Sequence, residues 1–417
     1  MTAPALAPAP RPAPPVAPNV PADAAPGDLD PAFYAPLLAR ALRRPGLRVD
    51  AVRPIGAGPG ASIVGDLTAE RLGEPVGVVH RRVHHAGGLT DVVVKHKATD
   101  TEVHAMLGGL AHACGRRLGA AFAAHAAAVG FVACHRREPA VYAQRDPRVT
   151  RHVPRCYGVV RRPESERPAL VLERLGPGVR LLDSADDPSG WGGAELEAAL
   201  DGLGALHAVW LGREAALRRA PWIGAYPTAA RMAAARPLWH ALADHAAERL
   251  PDLMPPHELR RQRVLLGTLP DWWAAIDAMP RTLAHNDCNP RNVTLRDPAP
   301  GAPAGAPPRL CAYDWELATL HLPQRDAAEL LAFVLPDGAT RGDVLALIER
   351  HRRATAAAGA AVPDAAAWRA GFVLAARDLL VHRLALYTMG HPFQHYRFLA
   401  RCLRTARRLL DLELDRP

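Results

Sequence analysis

The order of apolar patterns along this chain restricts its fold more than any other feature. Short apolar runs separated by glycine-containing turns occupy residues 47–99, and further strand-like runs follow at 156–160 and 169–175. Beyond Gly176-Pro177-Gly178, apolar residues recur mainly at helical spacing, interrupted by two strand-like runs at 293–296 and 310–316. This order predicts an α+β protein with a small antiparallel sheet, a hinge and a larger helical region.

The length of 417 residues favours two lobes with ample core. Residues 1–28 are predicted to be a disordered Ala/Pro-rich tail, because nine of the first 26 residues are proline. Residues 29–175 are predicted to form a β-rich N-lobe with an inserted helix at 101–133 and another helix from Glu138. Residues 176–417 are predicted to form a helical C-lobe, with helices at 193–219, 229–249, 256–278, 326–335, 341–358, 364–389 and 394–414.

Charge and cysteine usage narrow the classes of function. The net charge of +9 comes from basic residues spread over the whole chain, without a basic block or an interleaved aromatic platform, so we expect no nucleic-acid partner. The six cysteines form no CxxC pair, which fits a reducing cytoplasm better than a zinc site or a disulfide framework. Nothing resembles an export signal or a membrane span, so we expect a cytoplasmic protein without a membrane partner.

Two residue types that are rare in this chain, asparagine and lysine, are each concentrated in one short segment. The segment HNDCNPRN, residues 285–292, holds three of the only four asparagines in the chain. Lys95 and Lys97 are the only lysines among 51 basic Lys and Arg residues, and both stand at the end of one apolar run. A compact ammonium differs chemically from the arginine used everywhere else, so both places are candidates for chemistry.

The spacing in the asparagine-rich segment is typical of phosphoryl transfer. Asp287 and Asn292 reproduce the interval between the base and the metal ligand in the loop H-R-D-L-x-x-x-N, and Asp314 follows the next apolar run. Transfer from ATP requires a carboxylate near the attacking hydroxyl, and oxygen ligands for Mg²⁺. An amide can ligate through its oxygen without adding negative charge.

HNDCNPRN at 285–292 followed by AYDWE at 312–316 resembles the aminoglycoside phosphotransferase and choline kinase-like superfamily, whose usual forms are HGDxxxxN and IDWE. The resemblance implies a bilobal protein-kinase-like fold. It also implies that Asp287 is the catalytic base, that Asn292 and Asp314 bind Mg²⁺, and that His285 supports the loop. Asn286 departs from the usual glycine, although asparagine tolerates positive φ. The run ALVLERLG at 169–176 and the long insertion after Lys95 resemble the ecdysteroid kinase-like branch.

The lysine run has a counterpart in the same superfamily. Val92-Val93-Val94-Lys95 resembles the V-A-I-K strand, whose lysine contacts the α/β-phosphates of ATP and a helix glutamate. Lys97 is the alternative, because strand alternation places it on the same face. REPAVY at 137–142 resembles the family's R-E-x-x-x-Y helix start and makes Glu138 the expected partner, with Glu102 as the alternative.

Three further features are consistent with nucleotide binding. Gly56, Gly58, Gly60 and Ser62 would belong to a phosphate-covering loop or to a plain hairpin turn. Residues 170–175 resemble the interlobe segment that binds adenine through its backbone. Outside these features, Asp326 is interpreted as a first-turn helix residue favoured by the helix dipole, and Arg291 as either a phosphate contact or a structural salt bridge.

The sequence thus predicts an ATP- (or GTP-) and Mg²⁺-dependent phosphotransferase that acts on a hydroxyl group of a small molecule. The excess of basic over acidic residues argues mildly against polycationic aminoglycosides as acceptors. A protein kinase is the first alternative, but AYDWE replaces DFG and no A-P-E segment follows. A non-catalytic nucleotide-binding module is the second. The acceptor and the oligomeric state stay open.

Overall fold

A computed structural model describes residues 30–56, 77–161, 168–303 and 305–415. The predicted tail and the strand-like run at 62–69 lie outside the described residues, as do Gly58, Gly60 and Ser62. The described chain combines an antiparallel five-stranded sheet with a larger, mainly helical region that follows it. The predicted α+β class is therefore confirmed, whereas the division of the chain at residue 175 stays a prediction.

The sheet carries the lysine run at its centre. Its strand order is β1-β2-β3-β5-β4, and all neighbours are antiparallel. In the middle strand, Lys95 lies opposite Val78 on one side and Leu170 on the other. The strands are β1 (Val49–Pro54), β2 (Gly77–His85), β3 (Gly88–His96), β4 (Cys156–Arg161) and β5 (Pro168–Glu173).

A helix that the sequence did not reveal covers this sheet. Helix α1 (Pro31–Ala41) begins after Asp30, whose carboxylate accepts from the backbone N–H of Ala32 and caps the first turn. Its fully buried Tyr34 and Leu38 belong to the same apolar cluster as the valines of β3 and β5. The helix thereby seals one face of the sheet.

The insertion between β3 and β4 contains more and shorter helices than the sequence predicts. Four helices replace the expected two, and Glu138 lies in the middle of its helix instead of at the start. Gly115 (φ 142°) and Gly130 (φ 89°) explain the breaks, because their backbone conformations interrupt a continuous helix. The helices are α2 (Asp100–Cys114), α3 (Arg116–His125), α4 (Cys134–Tyr142) and α5 (Pro147–Thr150), with a 3₁₀ turn at Ala126–Val129.

Within the described residues, one segment, Arg116–Tyr142, is long and apolar enough to cross a membrane by length and composition alone. Its helices are interrupted between Val129 and Cys134. Arg137 and Glu138 near its end are buried inside the protein. Arg137 donates there to three backbone carbonyls, which are those of Gly130, Ile223 and Ala225.

The region after β5 consists of helices around two small sheets. The predicted hairpin is confirmed, because β8 pairs antiparallel with β9 and Val293 lies opposite Ala312. Most of the long helices that the sequence predicts are divided by short turns into two shorter helices. The strands are β6 (Val179–Arg180), β7 (Thr282–Ala284), β8 (Val293–Arg296), β9 (Arg309–Ala312) and β10 (Thr319–His321). The helices are α6 (Gly193–His207), α7 (Glu214–Arg218), α8 (Ala229–Ala234), α9 (Arg236–Arg249), α10 (Pro256–Gly267), α11 (Leu269–Ala278), α12 (Gln324–Val334), α13 (Arg341–Ala357), α14 (Ala365–Asp378), α15 (Leu384–Gly390) and α16 (Leu399–Asp411).

Candidate active site

The asparagine-rich loop connects β7 to β8, and one carboxylate accepts hydrogen bonds from its first two backbone N–H groups. Asp326, in the first turn of α12, accepts from the backbone N–H groups of His285 (2.6 Å) and Asn286 (2.8 Å). Asn286 has φ 62°, a left-handed conformation that asparagine adopts more readily than most residues. The replacement of glycine by asparagine therefore leaves this turn of the loop formed.

Asp326 does more than the sequence indicated. It lies in the first turn of a helix, as expected, but its buried carboxylate also accepts from Nε2 of His207 at 2.9 Å. Nδ1 of His207 lies 3.0 Å from Nε2 of His351, which extends the hydrogen-bonded chain to α13. Burial raises the pKa of Asp326, but the His207 contact outweighs it and brings the pKa to about 2. An ionised Asp326 thus anchors the loop.

Asp287 has a fixed orientation within the loop. Its Oδ2 accepts from the side-chain amide of Asn292 at 2.8 Å, and its Oδ1 accepts from that of Asn289 at 2.9 Å. Arg383 forms an ion pair with the same Oδ1 at 2.5 Å. Burial raises the pKa of Asp287, but the charges of Arg383 and Arg291 outweigh it and hold the pKa below its usual value.

Arg383 and Tyr387 are site residues that the sequence analysis missed. Both belong to the C-terminal helices, four residues apart and hence on the same helical face. Arg383 ends a π-helical turn, Leu379–Arg383, that joins α14 to α15, and such turns are frequent at functional sites. The hydroxyl of Tyr387 donates to Asp287 at 3.3 Å and accepts from Arg291. No local motif indicates this contact, because it depends on packing across 100 residues of chain.

His285 and Asp314 link the loop to the end of β9. The Nε2–H of His285 donates to the carbonyl oxygen of Tyr313 at 2.8 Å, and its ring packs 4.4 Å from that of Trp315. Asp314 follows with φ 62°, an uncommon conformation for an aspartate. His285 therefore connects the loop to the end of β9, directly before the turn of the backbone at Asp314.

Both lysines contact Glu138. Lys95 Nζ lies 2.9 Å from Oε2 of Glu138 and 2.5 Å from Oδ1 of Asp314. Lys97 Nζ lies 2.8 Å from the same Oε2 and also contacts Glu316. Lys95 lines a cavity between these elements, whereas Lys97 is only 3% exposed and does not belong to the lining of this cavity.

Glu102, the alternative partner for the lysine, has another role. It accepts from the backbone N–H of Thr99 at 2.8 Å, while Thr99 accepts from the N–H of Glu102, so the two form a capping box at the start of α2. The structure therefore favours Glu138 as the partner of the lysines.

Burial raises the pKa of Asp314, but the charges of Lys95 and Lys97 outweigh this effect. The pKa of Asp314 is therefore lowered to about 2.

Asn292 and Asp314, the predicted metal ligands, both line the cavity and carry oxygen donors. Asn292 directs its amide nitrogen to Asp287, which leaves the amide oxygen for a metal, and Asp314 provides a carboxylate. One carboxylate oxygen each of Glu138, Asp314 and Glu316 also lie within 4.8 Å of one another. The two lysines neutralise part of that acidic group. The amide oxygen of Asn292 and the carboxylate of Asp314 are of the ligand type that fits a hard divalent cation.

One cavity of about 450 Å³ brings these side chains together. Lys95, Glu138, Asp287, Asn292 and Asp314 all line it, and so do residues 172–176, which overlap the segment 170–175 predicted to bind adenine. Gly56 ends the described part of the first strand region and is absent from the described lining. A role for it in phosphate binding stays a prediction.

Comparison with known proteins finds similar solved structures at low sequence identity. No protein-family model matches the chain, and curated proteins give no significant match. Three solved structures that are similar to it are a Ralstonia eutropha protein provisionally called an aminoglycoside phosphotransferase, an ethanolamine kinase of Plasmodium vivax, and a microcompartment-associated aminopropanol kinase.

The first of these is 13% identical, with a TM-score of 0.46, and the match covers 93% of this chain and 96% of that one. The second is 10% identical, with a TM-score of 0.41 and coverage of 80% and 79%. The third is 13% identical, with a TM-score of 0.42 and coverage of 91% and 99%. The described structure has an antiparallel five-stranded sheet followed by a mainly helical region, and the chain's motifs resemble those of the aminoglycoside phosphotransferase and choline kinase-like superfamily.

Proposed function

We propose that this protein is a phosphotransferase that moves the γ-phosphoryl group of ATP to a hydroxyl group of a small molecule. The observation that carries the proposal is the convergence of Asp287, Asn292, Asp314 and Lys95 in one cavity, on elements far apart in the chain. Phosphoryl transfer depends mainly on positioning and charge neutralisation, and these four groups provide both.

Asp287 is the proposed base. A hydroxyl bound beside its carboxylate donates a hydrogen bond to it, which aims the hydroxyl oxygen at the γ-phosphorus. As the new oxygen–phosphorus bond forms, the bond from the γ-phosphorus to the β-bridging oxygen breaks and ADP leaves. The proton of the hydroxyl passes to Asp287. Because Arg383 holds the pKa of Asp287 low, the carboxylate is ionised at neutral pH and ready to accept this hydrogen bond.

Lys95 is the proposed phosphate contact. It lines the cavity, and Glu138 and Asp314 fix its ammonium group. Burial lowers the pKa of Lys95, but these carboxylates outweigh it and keep the pKa above its ordinary value, so the lysine stays charged. Mg²⁺, held by Asn292 and Asp314, would neutralise phosphate charge during transfer. GTP would serve as donor if the interlobe backbone accepts guanine.

Asp287→Asn tests the proposal. The variant should lower transfer to an acceptor by about 10²- to 10⁴-fold, the usual contribution of a positioned base. Its affinity for ADP should stay close to that of the wild type. Acceptors are found by incubating hydroxyl-bearing metabolites with ATP and Mg²⁺ and detecting the phosphorylated product by mass spectrometry.

The matched control is Asp297→Asn. Asp297 pairs with Arg180 at the protein surface and does not line the cavity, so the same substitution there should leave transfer unchanged. Normal turnover by Asp287→Asn would show that the base is wrongly assigned. Nucleotide binding without transfer to any hydroxyl compound would favour the non-catalytic module instead.

A further inference from the structure

We propose that the acceptor is a mainly apolar alcohol without an ammonium group. This inference rests on the phosphotransferase function proposed above and concerns the part of the same cavity that lies beyond Asp287. The described wall of that part is apolar and aromatic, and the charged groups closest to Asp287 are arginines.

The wall is built from two distant segments. Met106, Leu107 and Leu110 of α2 line the cavity, and α2 contacts α15, where the thiol of Cys114 donates to the carbonyl oxygen of Met389 at 3.3 Å. Leu107 and Leu110 are only partly buried by the protein itself. They therefore offer apolar surface that an acceptor could cover.

Aromatic rings continue this wall next to the base. Tyr387 and Tyr396 line the cavity, and their ring centroids lie 5.5 Å apart in an edge-to-face arrangement. Phe131 lies on the other side of Arg383, whose guanidinium carbon is 5.9 Å from the ring centroid of Phe131 and 5.2 Å from that of Tyr387. A ring-containing acceptor could pack against these side chains while its hydroxyl reaches Asp287.

The charges of the lining disfavour a cationic acceptor. Five of its six carboxylates form ion pairs with Lys or Arg: Glu138, Glu173, Asp287, Asp314 and Glu316. The sixth is Asp183, which has no ion pair in the described part of the chain. Burial raises the pKa of Asp183 above its usual value, and the nearby charge of Arg291 opposes this. Arg291 likewise has no ion pair among the described residues, and it stacks 5.2 Å from the Tyr387 ring centroid. Beside Asp287, an ammonium group would therefore meet two guanidinium groups, and Asp183 is the one lining carboxylate in the described part of the chain that no Lys or Arg pairs.

The first experiment compares matched acceptors. Wild-type protein with ATP and Mg²⁺ is given 2-(2-naphthyl)ethanol, its aminomethyl-substituted analogue, and kanamycin as a polycation. We expect kcat/KM for the uncharged alcohol to exceed that for the amine-bearing analogue by about tenfold or more, since an ammonium group left unpaired in this pocket is disfavoured. Equal or faster transfer to the analogue or to kanamycin would overturn the inference and leave the phosphotransferase function standing.

The second experiment tests the wall without turnover. Binding of 1-anilinonaphthalene-8-sulfonate, an anionic apolar dye, is measured by fluorescence with ADP and Mg²⁺ saturating. Leu110→Glu should weaken dye binding by about tenfold or more, because it places a carboxylate on the apolar wall. Val264→Glu is the matched control, because Val264 is 66% exposed and lies outside the lining.

Thermal unfolding of both variants shows whether either fails to fold. Unchanged dye binding in a folded Leu110→Glu protein would overturn the inference. Absence of both ADP binding and transfer to any alcohol in the wild type would overturn the proposed function, and the inference with it.

Discussion

The ammonium nitrogen of Lys95 lies 2.5 Å from a carboxylate oxygen of Asp314, although 219 residues separate them in the sequence. Glu138 contacts the same nitrogen from α4 at 2.9 Å. This three-residue cluster joins the centre of the five-stranded sheet to the end of the β8–β9 hairpin. The two regions that carry the rare lysines and the rare asparagines therefore face one cavity.

Lys95→Met should weaken ADP binding by about tenfold or more. The substitution removes the proposed phosphate contact and leaves Glu138 facing the cavity with one cation fewer. Isothermal titration calorimetry with ADP and Mg²⁺ measures the change. Lys95→Arg keeps the charge but not the compact ammonium and should restore only part of the affinity. Wild-type affinity in Lys95→Met would show that the lysine does not contact phosphate.

Lys97→Met should chiefly reduce stability. Lys97 is 3% exposed, and its removal would leave Glu138 and Glu316 with less compensation inside the protein. Breaking a buried ion pair in this way costs about 3–5 kcal/mol of the free energy of unfolding. Unfolding in urea measures this loss of stability. As a control, Arg82→Met breaks the more exposed pair with Asp91 and should change the stability far less.

Asp314→Asn should weaken binding of ADP with Mg²⁺ much more than binding of ADP alone. The substitution removes a negatively charged oxygen ligand but keeps the shape of the side chain. Titration of ADP with and without Mg²⁺ separates the two effects. An equal loss under both conditions would indicate that Asp314 acts through Lys95 and not through the metal.

Arg383→Gln should shift the acidic limb of the pH–rate profile to higher pH. Arg383 lowers the pKa of Asp287 against the effect of burial, so its removal raises that pKa. As the pH falls, the carboxylate of the variant is then protonated at a higher pH than that of the wild type. Initial rates across the acidic range test this, and Arg383→Lys should shift the limb less. An unmoved limb in Arg383→Gln would mean that another group controls it.

His207→Phe should destabilise the loop that carries Asp287. It removes one of the hydrogen bonds to the buried carboxylate of Asp326, and a hydrogen bond to a charged group contributes about 1.5–3 kcal/mol to the free energy of unfolding. The pKa of Asp326 is lowered from 3.8 to about 2, so its stabilising contribution is present above pH 3.8 and is lost as the pH falls towards 2. Urea unfolding at neutral and acidic pH should show a smaller acid-dependent loss in the variant. If His207→Phe had the same pH dependence of stability as the wild type, the stabilising contact between His207 and Asp326 would be wrongly assigned.

The sequence predicted local features better than contacts between them. The β3 strand with Lys95 and the β8–β9 hairpin both follow from short-range patterns. The helix boundaries around Glu138 were wrong because Gly115 and Gly130 end helices inside a run that is otherwise helical in composition. Helix α1 was missed because its stability depends on burial against the sheet and not on a strong motif of its own.

The sequence by itself determined the α+β order and marked Asp287, Asn292 and Asp314 as candidate groups, since their types and spacing are local properties of the chain. Only the tertiary structure brought Arg383 and Tyr387 to Asp287, and Asp326 to the backbone of the loop. It also separated Lys95, which lines the cavity, from Lys97, which is buried behind it. These contacts join residues 40 to 100 or more positions apart, so they depend on how helices and sheets pack and leave no periodic signal in the chain.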